Sequence, residues 1–346
     1  MKRAGIVAIV ILLSLSSPGN FLRADTINTN YRLSLSPLFG MLWGQAAFLL
    51  YNPDRDQYAS ELLWDLKPLW YVGLAVDFGP QDPFRRGGFG AAASLKFGLP
   101  LRTGHMEDRD WIDRDYDYLT HFSRHYAFSQ SAIMLDVCAG YTWVLGHSLA
   151  LRLYGAYSYM RFSWMAEDGF IQYASRRCEC ATLFGCNCNL FHPWDENIPK
   201  RPIFGPGVRY VQNWHIVSPG ISLKGRIGNN FTWQGGFRYT PLVFCIHLDD
   251  HHFRDISFSG RFAFSHFFEG SGRFTFSPNE RLELSLAAAY RHIARMRGNA
   301  YVHFNGLGPH PEDPRFVGGN IVRNFFDGGA GFSALDVRLA ARIRLW

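Results

Sequence analysis

Apolar and polar residues alternate with a period of two along much of this chain. Near its end, Leu335, Val337, Leu339, Ala341, Ile343 and Leu345 share one parity, with Arg338, Arg342 and Arg344 between them. A β-strand sends successive side chains to opposite faces, so this run makes a ribbon with one apolar face. Strand-like stretches recur over residues 31–51, 60–78, 88–99, 126–144, 148–173, 207–225, 231–246, 253–268, 282–304 and 330–346. The connections fall into two classes. Leu145-Gly146-His147, Gly228-Asn229-Asn230 and Ser277-Pro278-Asn279-Glu280 read as tight turns. Residues 102–125, 174–206 and 305–329 read as long, polar and irregular. Short turns alternating with long loops, on an even number of strands, describe a bacterial outer-membrane barrel with both termini inside.

The expected fold is therefore all-β, a ten-stranded antiparallel transmembrane β-barrel with long extracellular loops. The boundary near Gly270-Ser271-Gly272 leaves the count open by about two strands. Trp346, the aromatic last residue, falls on the parity of Arg342 and Arg344 rather than of the apolar face, which a late bulge would explain.

Composition sharpens this picture. The chain has 30 Phe, 16 Tyr, 10 Trp and 34 Gly, as aromatic girdles and strongly bent strands require, although a soluble β-sandwich shares such a composition. Met1-Lys2-Arg3, an apolar run from Ala4 to Leu15 and Pro18-Gly19 read as an export signal, with cleavage near Ala24. The expected division is a signal peptide over 1–24 and one barrel domain over 25–346. No later segment has the roughly 18 consecutive apolar residues of a spanning helix.

The formal net charge is +6 and the pI about 9.0. An exported barrel does not meet cytoplasmic nucleic acid, so the basic balance points to anionic lipid head groups or an acidic glycolipid. Four of the six cysteines cluster as Cys178-Glu179-Cys180 and Cys186-Asn187-Cys188. Zinc sites favour a Cys-x2-4-Cys spacing, whereas an oxidising exterior favours disulfides that pin a long loop. No metal or other cofactor is expected, and the pairing of the cysteines stays open.

Two acidic patches carry the candidate chemistry. Glu107-Asp108-Arg109-Asp110-Trp111 follows the third strand, and Asp249-Asp250-His251-His252 follows the seventh. Read as loops on the same rim, they face each other across the barrel mouth. Asp249 would orient His251, His251 would take a proton from water, and of two close carboxylates one should hold its proton near neutral pH. Either patch alone is ordinary loop polarity; together they describe a hydrolase.

The chain resembles the omptins, outer-membrane endopeptidases on ten-stranded barrels. The resemblance rests on Asp108-Arg109-Asp110-Trp111-Ile112-Asp113 and on Asp249-Asp250-His251-His252-Phe253-Arg254-Asp255-Ile256-Ser257-Phe258. Ser123-Arg124-His125 and Ser60-Glu61-Leu62-Leu63-Trp64 match further motifs, in the family's order. It implies that Asp249 and His251 form a dyad, that Asp108 and Asp110 hold the far side of a water, and that Ser123 and His125 support the site. No base is evident for Ser123 as a nucleophile.

Omptins that cut between basic residues use a glutamate in strand one and an acidic residue two before the dyad aspartate. Those positions are Phe48 and His247 here, so dibasic specificity is not expected. The family's lipopolysaccharide motif, Tyr-x-Glu-x-Arg, is similar to Tyr157-Ser158-Tyr159-Met160-Arg161, with Tyr159 for the glutamate. A further lipid-binding arginine falls at Asn213 or Trp214. The implied partners are protein or peptide substrates and an outer-membrane lipid, such as a glycolipid. The protein is expected to be a monomer in the outer membrane with its site facing outward. The competing reading is a catalytically silent barrel acting as adhesin or structural porin.

Overall fold

A computed structural model describes residues 31–52, 57–113, 117–181, 185–279, 281–304 and 321–344. The expected signal peptide, Trp346 and most of 305–329 lie outside the described residues. The strands are β1 (Tyr31–Tyr51), β2 (Tyr58–Pro80), β3 (Gly88–Gly98), β4 (Arg102–Asp110), β5 (His121–Gly146), β6 (Leu149–Tyr173), β7 (Arg176–Ala181) and β8 (Gly185–Phe191). They continue as β9 (Arg201–Ile227), β10 (Phe231–Thr240), β11 (Val243–His251), β12 (Ile256–Ala263), β13 (Phe267–Phe276), β14 (Leu282–Phe304) and β15 (Ile321–Arg344).

Every pairing is antiparallel, and β1 pairs with both β2 and β15, so the sheet closes on itself. Closure satisfies every edge, which is what permits a sheet to stand in lipid. The ring has ten strands, because β3 with β4, β10 with β11, and β12 with β13 each form one interrupted strand. β7 and β8 form a separate hairpin outside the ring.

The alternation resolves as the barrel requires. Leu335, Leu339 and Ile343 point outward and are exposed, while Asp336 on the opposite parity is buried in the lumen. Phe39, Trp43, Val72, Phe78, Phe97, Val217 and Phe237 continue this apolar belt around the wall. Above Trp43 and Leu101 the outer face turns polar. There Arg109 reaches Glu107 at 2.8 Å and Glu61 at 3.5 Å, and Arg295 also pairs with Glu61.

The strand interruptions at 99–101 and 264–266 fall near the change from apolar to polar outer face. On β11 the outward Phe244, Ile246 and Leu248 stay apolar and exposed beyond the break at 241–242, and the change comes at Asp250. Below this change the wall faces lipid; above it there is water on both sides. β4, β12 and the end of β11 from Asp249 belong to this upper section, beyond the membrane-spanning segments.

Two expectations are corrected. Residues 102–125 are not one long loop: 102–110 is β4, 121–125 opens β5, and 111–120 connects them. Likewise 174–206 contains the β7–β8 hairpin and the start of β9. The hairpin is tied to the rim where the Asp113 carboxylate accepts from the Phe191 amide at 2.8 Å and from the Tyr118 hydroxyl at 3.0 Å. Cys178 is disulfide-bonded, and Cys138 and Cys245 are free.

A layer of aromatic rings fills the lumen below the upper section. Trp64 and Trp164 lie against Tyr210 at 5.5 and 5.9 Å, and Phe162 packs on Trp164 and Phe332, both at 5.4 Å. Gln212 stitches this layer together, donating to the Ala47 carbonyl at 2.9 Å and accepting from Trp214 Nε1 at 3.1 Å. Below it the lumen is ionic. Arg238 and Arg291 bridge Glu269 and Asp136, and the ammonium of Lys96 meets Asp336 at 2.8 Å. Removing one partner from such a buried pair typically costs about 3–5 kcal/mol.

Candidate active site

The acidic positions expected in loops stand on strands. Met106, Asp108 and Asp110 share the lumen-facing parity of β4, as Cys245, His247, Asp249 and His251 do on β11. Inward placement removes these groups from bulk water, which a loop would not do.

On β11, His251 Nε2 meets the Asp249 carboxylate at 2.8 Å. Asp249 is fully buried, and its second oxygen has no partner among the described residues. Since the carboxylate takes Nε2–H, the free nitrogen of the ring is Nδ1. Burial disfavours charging His251, but the Asp249 charge and hydrogen bond, with Asp108 beyond, outweigh it and hold the pKa above the ordinary value. The tight turn after His251 fixes the strand end: Arg254 N–H donates to the His251 carbonyl at 3.2 Å and Asp255 adopts φ 50°.

Across the mouth, Asp108 accepts from the Ser60 hydroxyl at 3.3 Å and lies opposite Ser123 in register. Its carboxyl is held well above the usual carboxylate range, by enclosure in the barrel mouth first and then by the Asp110 charge. His251 opposes that shift and Asp249 adds to it, so the β4 and β11 groups share one field. Asp108 therefore retains its proton to higher pH than an ordinary carboxyl. Tyr173, on β6, is 39 % exposed; partial desolvation at the mouth and then the charges of Asp108 and Asp110 raise its pKa.

Ser123 and His125 are beside these groups, and the structure gives Ser123 a base that the sequence did not reveal. His125 Nδ1–H donates to the Asp168 carbonyl at 2.6 Å, which leaves Nε2 to accept from Ser123 Oγ at 3.1 Å. The register shift at Glu167–Gly169 aims that carbonyl inward. Asp168 has φ 54° and Gly169 φ 114°, and a Cβ on Gly169 would come within 2.1 Å of the Arg124 carbonyl. Burial, with His251 contributing, lowers the His125 pKa, so its ring stays neutral.

Phe48 and His247 are brought together below the dyad. Their ring centroids are 4.5 Å apart, and Phe262 stacks on the other side of His247 at 4.9 Å. They are 0 % and 2 % exposed, and neither ring nitrogen of His247 has a partner among the described residues. Fully buried between aromatic rings, with no partner to stabilise a charge among the described residues, the ring is an uncharged aromatic plate. Gly260 makes room for it, since a Cβ there would meet His247 Nε2 at 2.5 Å.

Tyr157 and Arg161 are on the outer wall, away from the mouth. Arg161 donates to Asn213 Oδ1 at 3.0 Å, Tyr159 to the same oxygen at 3.2 Å, and Tyr157 pairs with His215 Nδ1 at 2.8 Å. Asn213 is the register partner of Arg161, while Trp214 points into the lumen. Sequence reading missed His215, Tyr173 and Tyr210, because only register places them beside the named residues. Among the described residues, no group of three or more His, Cys, Asp or Glu is arranged to hold a metal ion.

The omptin family model matches residues 29–308 of the chain. The plasminogen activator of Yersinia pestis is 24% identical over 273 residues, 78% of either chain. The crystal structure of the outer membrane protease OmpT from Escherichia coli superposes with a TM-score of 0.74 at 16% identity, covering 93% of this chain and 99% of that one. At that identity the superposition speaks for the barrel alone.

Proposed function

The chain belongs to the omptin family of outer-membrane proteases, and on that premise we propose that it is an endopeptidase whose nucleophile is a water activated by His251. The observation that carries the reading is the 2.8 Å contact of His251 with buried Asp249, in the same field as Asp108. The carboxylate fixes the ring and stabilises its charged form, so Nδ1 can take a proton from water. Asp108 and Asp110 hold the other side of that water. The protonated carboxyl of Asp108 can donate as the attacked carbonyl oxygen gains charge.

The floor below the dyad suggests the cleavage preference. An arginine side chain directed there would meet Phe48 and neutral His247 instead of carboxylates. It would forfeit charge-assisted hydrogen bonds worth roughly 1.5–3 kcal/mol each. We assign a preference for an uncharged side chain before the scissile bond. The outer cluster of Tyr157, Tyr159, Arg161 and Asn213 is assigned to an outer-membrane glycolipid. The filled aromatic layer disfavours the porin reading, since a pore needs an open lumen.

A second reading, with Ser123 as nucleophile, has the His125 contact behind it. It is weaker because His125 leans on a backbone carbonyl, which cannot stabilise an imidazolium as a carboxylate does. One experiment separates the two. His251→Ala and Asp249→Asn should lower turnover by roughly 10²–10⁴-fold in a folded barrel, and Ser123→Ala by much less. Covalent labelling of Ser123 by a serine-directed inhibitor, with loss of activity, would replace the water mechanism.

A further inference from the structure

Below the aromatic layer the lumen holds a cavity of about 300 Å³, reaching from the Arg291 ion pairs down to Gly79, Pro80 and Pro83 at the end with the short turns. Among the described residues its charges do not balance. At the top, Arg238 and Arg291 are matched by Asp136 and Glu269. At the mouth, Arg342 bridges Glu283 at 3.1 Å and Asp77 at 3.0 Å, and Arg32 reaches Glu283 at 3.6 Å. Between these layers Asp336 serves both Lys96 and Arg338, at 2.8 and 3.4 Å.

Three further cations lining the cavity have no carboxylate within 4 Å among the described residues. Arg152 donates Nη2 to the Gly90 carbonyl at 2.9 Å, while its buried Nε has no partner. Among the described residues the Lys224 ammonium makes no ion pair within 4 Å; it lies over the ring of Phe84 at 5.7 Å, with Glu283 acting on it only at longer range. Arg273 likewise makes no ion pair within 4 Å among the described residues, with Asp77 and Glu283 farther off. Among the described residues this region therefore sets nine cations against five carboxylates.

Four surplus charges inside a wall whose outer face is lipid repel one another through a medium that screens poorly. The remedy is a bound counter-charge. Guanidinium forks match oxyanions, and several of them converging favour an anion of more than one charge. The cavity accommodates a small anion rather than a peptide segment, and the closed wall bars lipid head groups from it. We propose that the lower lumen is a binding site for a small multivalent oxyanion of the phosphate class, held by Arg152, Lys224 and Arg273 and entered from the short-turn end.

Inorganic pyrophosphate titrated into the detergent-refolded barrel, followed by calorimetry and phosphorus NMR, tests this. Saturable binding of one equivalent is expected, together with a raised unfolding temperature relative to chloride at equal ionic strength. Arg273→Gln with Lys224→Gln should weaken binding at least about tenfold, since each removes a charge-assisted contact, while leaving peptide cleavage at the rim unchanged. Should the double variant fail to show heat-modifiable migration, Arg273→Gln alone takes its place, with a loss of about threefold or more expected. Absence of saturable binding would overturn the proposal. So would equal affinity in the variant, or a thermal shift that chloride reproduces at matched ionic strength, which is screening only.

Discussion

On the proposed mechanism His251 is the base, and its environment makes a definite claim about pH. Burial works against its charge, and Asp249 more than reverses this, so the ring keeps its proton above the ordinary pKa of 6.5. A general base must be neutral, so activity should be full above the raised pKa and fall as pH drops through it. The acid limb of kcat/KM is therefore expected to have its midpoint above 6.5. In Asp249→Asn the chief raising influence is gone and burial dominates, so the limb of the residual activity should move to lower pH. A limb that stayed put would assign it to another group. The proposed specificity belongs to the same scale. Phe48 and His247 form an uncharged stack, so Arg-Arg peptides should be poor substrates, and a peptide library should show uncharged residues before the cleaved bond. Phe48→Glu with His247→Asp should move that preference toward arginine, by roughly tenfold or more if one charge-assisted contact forms. Dibasic peptides emerging as the best substrates of the unmodified enzyme would contradict it.

The elements show which parts of the fold were legible in the sequence. Strands facing lipid on one side and the lumen on the other carry a strong period of two, and β1 and β14 fall where alternation places them. β4 was read as loop for a physical reason. Above the apolar belt both its faces meet water or polar groups, with Arg102, Glu107 and Arg109 outward and Asp108 inward, so no apolar parity remains. The end of β11 was lost to the same cause, and with it the fact that Asp249 and His251 are strand residues. The motifs themselves were legible; the Phe48–His247 stack and the Ser123–His125 contact were not, since both depend on register and a bulge. The fit of elements at Gly260 is testable. Gly260→Ala would press a methyl against the His247 ring, and overpacking of this kind typically costs about 1–3 kcal/mol. A lowered unfolding temperature with altered peptide preference is expected; an unchanged stability would show that the ring has room to move.

As a whole molecule, the barrel divides into a lipid-facing lower section and a water-facing upper one, with the candidate site in the upper. Protease added to intact cells should nick the connection around 192–200 and spare the turn at Gly228-Asn229-Asn230, as mass spectrometry of the fragments would reveal. Cutting at that turn instead would reverse the orientation. The level at which the outer face turns polar also fixes how deep the barrel sits, and so how far the site stands from the bilayer. Asp108 is six residues beyond Arg102, where the polar outer face begins on that strand. At ~3.4 Å per residue and a tilt of ~40°, this is a height of roughly 15 Å. The enzyme thus works at a fixed altitude. A bond lying flush on the membrane passes beneath its reach, whereas a chain that arches upward, or arrives from the surrounding medium, comes to the right level. Height above the lipid, as much as side-chain identity, would select what is cut.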